Sequence, residues 1–361
     1  MPACIQADRD EGSVTRDPRP VAHLLSAASV TNWFSYFAEV LPDDRVIHLG
    51  EQPHVPPDLI ESIVDGGDRA VFFSSHETLI RDLDLARRLR AAGTPTLGQS
   101  RRCARLGWDK FKMKLFFDAF AVVTPPWVAG RDASALAGPF VVVKKRFGTQ
   151  SVGTRLAQGP NCVLSPDEFA ETFIPGVEYS VVVYRDSRGT ATFPPVWKGP
   201  VSTDLVPPWR RLRLCPAPQI DPELDVRLRA IAVRIADTAD AQGHLEVEML
   251  VDDDATIFTL EINPRVSGTM RISAMATGVP IFSMFRHDDL CGALEATRVA
   301  AEVPYSGPSI CDPEGAVFGT SRLTVAGEDL AGVRVKIGRH WPGGWPVATT
   351  RRASARRGGP R

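Results

Sequence analysis

The stretch GHLEVEMLVDDDATIFTLEINPRVSGTM, residues 243–270, decides how this chain folds. In its first half Glu246 and Glu248 share one face, with Leu245, Val247 and Met249 on the other. In its second half Phe258, Leu260 and Ile262 face one way, and Thr259, Glu261 and Asn263 the other. Alternation with a period of two marks half-buried strands. The short turn VDDDAT between them makes an antiparallel hairpin, so Glu248 and Glu261 lie on one face of neighbouring strands. Carboxylates side by side repel unless a cation sits between them. Asn263 adds an amide oxygen, giving a hard-oxygen set of the kind Mg2+ takes together with phosphates. A solvated sheet face needs no ion and fits the same spacing.

Working outward, the first hundred or so residues alternate strand and helix. PVAHLLS, DRVIHLG, RAVFFSS and TPTLGQ read as strands. VTNWFSYFAEVL and ETLIRDLDLARRLRAAG read as helices, the second with Leu79, Leu83, Leu85 and Leu89 along a stripe and Gly93 at its end. This predicts an open α/β unit. Next comes a helix whose apolar positions are Phe111, Leu115, Phe116 and Ala119, stopped by Pro125 and Pro126. A strand, a glycine-containing loop and a strand follow in PFVVVKKRFGTQSVGTRLA, and SPDEFAETF is expected to be a short helix. EYSVVVYRD, ATFPPVWKG and the hairpin supply a mainly antiparallel sheet. A helix capped by Asp221 lies between its strands, and SRLTVAGEDLAGVRVKIG adds a late strand and helix.

The bulk composition is that of a folded globular protein: 361 residues, 43% hydrophobic, 24% charged. A net charge of −1 provides no field favouring nucleic acid or an anionic membrane. Neither a secretory leader nor a membrane-spanning run is evident, and the six cysteines form no CxxC or zinc spacing. A reducing, cytoplasmic setting is the expectation. The first 20 residues read as a loose arm, and residues 351–361, with five arginines, as a disordered basic tail.

Two more constellations carry charge. Lys144 closes an apolar strand ahead of a loop with Gly148, Ser151 and Gly153, whose freed amides suit phosphate oxygens. A hairpin with a flexible turn would read the same. Asp109 suits a helix cap, and Lys110 in the first turn opposes the helix dipole unless it faces an anion.

Taken in order, Asp109 with Lys110, Lys144 before its Gly/Ser loop, ETFIPGVEYS with its Gly-x-Glu, and paired acidic strands ending in EINPR resemble the ATP-grasp superfamily of carboxylate–amine ligases. The resemblance runs over residues 107–276. It implies an α/β and α+β architecture: a pre-ATP-grasp domain at 1–107 and an ATP-grasp domain at 108–350, with a lid subdomain at about 123–173. It also implies ATP and two Mg2+ ions as cofactors, with Mn2+ as a substitute. By resemblance, Lys110 and Lys144 contact phosphates under the loop of Gly148, Ser151 and Gly153. Glu171, Phe173 and Ile174 line the adenine slot, and Glu178 holds the ribose. Glu248, Glu261 and Asn263 bind metal, Arg265 steadies the transferred phosphoryl group, and Lys198 is a further basic residue near the phosphates. Arg271 and Ser267, just past the motif, are candidate substrate contacts. The chain departs from the family in having Lys145 where many relatives place proline, and bulky Arg146 and Phe147 before the first glycine.

The implied activity is ATP-dependent activation of a carboxylate as an acyl phosphate and its joining to an amine, with an amino acid as one substrate. ATP-dependent carboxylation, loading of a carrier protein, and a non-catalytic ATP-binding module are the alternatives. Small molecules are the expected partners, not nucleic acid or membrane; a homodimer or a carrier protein is compatible with the resemblance.

Overall fold

The computed structural model describes residues 19–340 except 27, 52, 53, 131, 132, 150, 160, 161, 208, 209, 219, 313–315 and 320. The basic tail at 351–361 lies outside the described residues, as does nearly all of the N-terminal arm. The chain begins with β1 (Val21–Leu25), α1 (Ala28–Phe37), β2 (Arg45–His48), α2 (Pro57–Asp65), β3 (Arg69–Phe73), α3 (Leu79–Ala91) and β4 (Thr96–Leu97). These strands form a parallel sheet in the order β2-β1-β3-β4. β1 is buried along its whole length, as a strand covered on both faces must be.

Helices α4 (Arg101–Trp108) and α5 (Lys110–Ala119) then meet at Asp109, whose carboxylate accepts from the amides of Phe111 and Lys112. The buried face of α5 differs from the apolar stripe in the sequence. Leu115 is 59% exposed, and the buried positions include Lys110, Met113, Lys114 and Phe117. Two lysines one turn apart face inward because carboxylates on other elements meet them there.

A small antiparallel sheet follows, in the order β5-β8-β6-β7: β5 (Trp127–Ala129), β6 (Phe140–Lys145), β7 (Arg155–Gln158) and β8 (Glu168–Thr172). The helix expected in SPDEFAETF is β8 instead. Its amides pair with β5 on one side and β6 on the other, and that long-range pairing overrides the local pattern. Among the described residues this unit holds no α-helix.

The rest is built on β9 (Val177–Asp186), β10 (Gly189–Thr192), β11 (Val196–Pro200), β12 (Arg213–Cys215), α6 (Pro222–Thr238), β13 (Gly243–Val251), β14 (Ile257–Asn263) and α7 (Gly268–Thr277). It closes with β15 (Gly292–Ala293), β16 (Val299–Pro304), β17 (Ile310–Asp312), β18 (Val317–Gly319), β19 (Arg322–Gly327) and α8 (Leu330–His340). The strands make one large sheet running β14-β13-β9-β11-β12-β16-β19-β18-β17, with β10 and β15 off that path. Val181, Val183, Leu245, Val247 and Met249 pack against α6 on one face. α7 lies against the other, with Met270 and Ala274 in contact with Val182 and Phe193.

β13 and β14 form the expected hairpin, and Glu248 stands opposite Glu261. Its alternation is interrupted by a bulge: Glu248 pairs with Glu261, but Met249 pairs with Thr259. Thr259 therefore joins the Met249 face rather than that of Glu261 and Asn263. It is held there at the sheet edge: its amide donates to Val123 O at 2.7 Å and its carbonyl accepts from Thr124 Oγ1 at 2.8 Å.

Candidate active site

The hairpin end, α5, the small sheet and the loop after β3 converge on one cluster of charge. Gly107 makes the approach of α4 to the hairpin end feasible, because a Cβ there would sit 2.2 Å from Pro264 Cδ. Lys110 Nζ reaches Glu261 Oε2 at 2.9 Å. Lys198, fully buried on β11, lies 3.0 Å from Glu246 Oε1 and 3.2 Å from Glu248 Oε1. Asn263 Nδ2 donates to Glu248 Oε1 at 3.1 Å, and its Oδ1 accepts from Arg265 Nη2 at 2.9 Å. Arg265 also donates to Thr149 Oγ1 at 3.0 Å, so the 146–154 loop closes onto the hairpin end. Arg146 anchors that loop by a two-point bond to Asp109, at 2.9 and 2.6 Å.

Each carboxylate responds to its surroundings. Burial raises Glu171, but Lys114 and Lys144 overcome that and hold it at about 2. Glu246 is likewise held at about 2, with burial outweighed by Lys198, Thr269 and Ser180. Burial also raises Glu261, yet Lys110 leaves it below the usual carboxylate range. Glu248 alone goes up: burial and the charges of Glu246, Glu261 and Glu178 outweigh Lys198. A carboxylate crowded by carboxylates gains most from a divalent cation. Among the described residues no group of three or more His, Cys, Asp or Glu is set to hold a metal by itself. Glu248, Glu261 and Asn263 present two carboxylates and an amide, which fits Mg2+ bound jointly with phosphate oxygens.

Other positions singled out in the sequence fall as follows. Lys144 Nζ lies 2.6 Å from Glu171 Oε2. Glu171 is not an open wall residue: it is 2% exposed and clamped between Lys144 and Lys114. Phe173 and Ile174 are half-buried just after β8. Glu178 is ion-paired to Arg211. Gly148 and Gly153 have φ of 124° and 75°, a backbone region that favours glycine, and exposed Ser151 lies between them. Arg271 does not join the hairpin cluster but pairs with Glu302.

Several residues near these groups escaped the sequence reading. Lys114 is fully buried against Glu171, four residues after Lys110, and that spacing was the available signal. Glu246 carried the same alternation as Glu248. His76 stacks on Trp108 with ring centroids 5.1 Å apart. Burial and the charge of Arg265 lower its pKa, which places the loop after β3 beside the hairpin.

Comparison with known proteins agrees with this architecture. Residues 210–287 match the family model "Carbamoyl-phosphate synthase L chain, ATP binding domain". The chain is 27% identical over 241 residues to a carbamoyl-phosphate synthase of Methanobrevibacter smithii, covering 61% of this chain and 65% of that protein. It is 25% identical over 248 residues to a D-alanine–D-alanine ligase of Neisseria gonorrhoeae, covering 61% of this chain and 79% of the other. The N5-carboxyaminoimidazole ribonucleotide synthetase of Thermotoga maritima superposes with a TM-score of 0.63 at 18% identity, covering 89% of this chain and 97% of that one. Fold and matches together define a class, that of enzymes built on the ATP-grasp fold. This chain belongs to the ATP-grasp superfamily.

Proposed function

We propose that this chain binds Mg2+ and ATP between the small sheet and the hairpin end. ATP then activates a carboxylate as an acyl phosphate, which a nitrogen nucleophile opens. The observation that carries this reading is the direct opposition of Glu248 and Glu261, with Asn263 beside them and Lys110, Lys198 and Arg265 in contact. Carboxylate and triphosphate are both anions, so part of the barrier is repulsion. Glu248, Glu261 and Asn263 would hold the metal, which supplies charge neutralisation on the phosphates. Lys110 and Lys144 are the cations for phosphate oxygens; each now pairs with a carboxylate that keeps it in place and charged. Arg265 and Lys198 serve the transferred group.

In this reading residues 123–173 form a lid on the 108–350 domain, and residues 1–107 a preceding domain. Gly148, Ser151 and Gly153 line the lid loop, which excludes water from a hydrolysable intermediate. Phe173 and Ile174 flank the base, Glu178 the ribose, and Glu171 orients the two lysines.

Two chemistries share this geometry. An amino acid as the carboxylate gives an amide ligase, the reading that the D-alanine–D-alanine ligase match supports. Bicarbonate as the carboxylate gives an ATP-dependent carboxylation of an amine. The near full-length likeness to a carboxyaminoimidazole ribonucleotide synthetase and the carbamoyl-phosphate synthase match favour it. ADP release is measured with an amine panel in bicarbonate, and with amino-acid pairs in carbonate-free buffer, products being read by mass spectrometry. ADP formed only with bicarbonate selects carboxylation, and ADP formed without it selects the amide ligase. Absence of ADP with every pair, despite a raised melting temperature in Mg2+ and ATP, would refute the catalytic reading.

A further inference from the structure

The face of the large sheet that carries Glu246 and Glu248 continues beyond Lys198 as a row of charge. Arg213 on β12 stands opposite Glu302 on β16, and Glu302 opposite Thr324 on β19. Arg322, two residues before Thr324, shares that face. Arg271 reaches in from α7. Glu302 is fully buried; its Oε2 accepts from Arg271 Nη2 at 2.9 Å and from Thr324 Oγ1 at 2.8 Å. Its Oε1 accepts from Arg322 Nε and lies 3.5 Å from Arg213 Nη1.

Three guanidiniums thus share one carboxylate, and none of the three is more than 9% exposed. One negative charge leaves two positive charges uncompensated where burial makes them costly. Burial pushes Arg322 down to about 10, and Arg213 and Arg271 add to this while Glu302 opposes it. Donors are left over as well. Arg271 Nε, Arg322 Nη1 and Ser267 Oγ are buried without a hydrogen-bond partner. Ser267 is the N-cap of α7, yet its side chain makes no capping bond, and the positive end of the helix dipole lies there. Gly268 lets the chain approach, since a Cβ there would sit 3.4 Å from Arg213 Nη1. The cluster is wired to the hairpin: Thr269 donates to Glu246, which shares Lys198 with Glu248.

We propose that Arg213, Arg271, Arg322 and Ser267 form an oxyanion pocket for a carboxylate or phosphate carried by the nitrogen-bearing substrate, separate from the oxygen that ATP phosphorylates. It rests on the reading of the hairpin as a Mg2+ and ATP site, and it narrows the acceptor to an acidic amine. Guanidinium forks match carboxylate and phosphate geometry, and a neutral acceptor would leave the cluster's charge unbalanced.

The test uses the full chain saturated with Mg2+ and a non-hydrolysable ATP analogue, so that the lysines are occupied, titrated calorimetrically with inorganic phosphate or with glutarate. Saturable binding of one anion is expected, weakened about tenfold or more by Arg271→Gln. Glu302→Gln removes the competing carboxylate and should tighten binding several-fold, whereas a merely structural cluster would lose it. Preference for phosphate assigns a phosphorylated acceptor, and preference for glutarate a carboxylated one. Failure of both anions to bind the wild-type chain, or equal binding by Arg271→Gln, would overturn the pocket. If Arg271→Gln does not fold, weaker binding by Glu302→Gln overturns it instead. The nucleotide titration is a separate readout: its failure sinks the Mg2+ and ATP reading, while the anion titration repeated without nucleotide still judges the cluster.

Discussion

Glu171→Gln tests the electrostatic design of the site most sharply. The side chain keeps its shape, but Lys114 and Lys144 lose their shared counter-charge. The gap between 4.5 for an ordinary glutamate and about 2 here corresponds to roughly 3 kcal/mol. The sign is that of a depressed carboxylate: the stability is present above pH 4.5 and lost as pH falls toward about 2. Lys114 pulls the other way, because burial lowers its pKa despite Glu171, so the clamp as a whole contributes less than the carboxylate alone. In the variant Lys114 can shed its proton, which from an ordinary value of 10.5 to pH 7 limits its penalty to about 5 kcal/mol. A loss of about 3 kcal/mol is therefore expected at pH 7, read as a lowered urea midpoint by circular dichroism. Lys114→Met added to Glu171→Gln should recover at least half of it, since the remaining Lys144 is partly exposed. A loss below about 1 kcal/mol, or no recovery in the double variant, would refute the reasoning.

Glu261→Gln should lower Mg2+-dependent ADP formation about a hundredfold or more with an unchanged far-ultraviolet spectrum, and full activity would remove the metal assignment. Gly107→Ala places a Cβ 2.2 Å from Pro264 and should cost about 1–3 kcal/mol by urea unfolding while displacing Asn263 and Arg265; wild-type stability would contradict the close approach. His244 is held neutral by burial, at about 4 against an ordinary 6.5, although its Nε2 donates to Ile281 O at 2.7 Å. The unfolded chain binds the proton first, so roughly 3 kcal/mol is lost as pH falls from 6.5 to 4, and His244→Gln should flatten that part of the stability profile.

How far the sequence could be read depended on range. The hairpin was legible because strand alternation and its polar stop at Asn263 and Pro264 are local. The bulge that turns Thr259 away was not, since it depends on Val123 and Thr124 meeting the sheet edge. Lys114 looks like a solvent-facing helix residue until Glu171, on another element, arrives beside it. β8 was misread as helix because its pairing with β5 and β6 overrides its local pattern. The Arg213, Arg271, Arg322 and Glu302 cluster draws on three strands and a helix, and only the sheet order brings it together.

The central claim is that ATP activates a carboxylate oxygen directly. Bicarbonate and amino acids labelled with oxygen-18 in the carboxylate, supplied with the amine panel, test it through mass spectrometry of the released phosphate. An acyl-phosphate route predicts one labelled oxygen in phosphate for each ADP formed with the true substrate. Unlabelled phosphate at full turnover, or AMP and pyrophosphate in place of ADP, would contradict it.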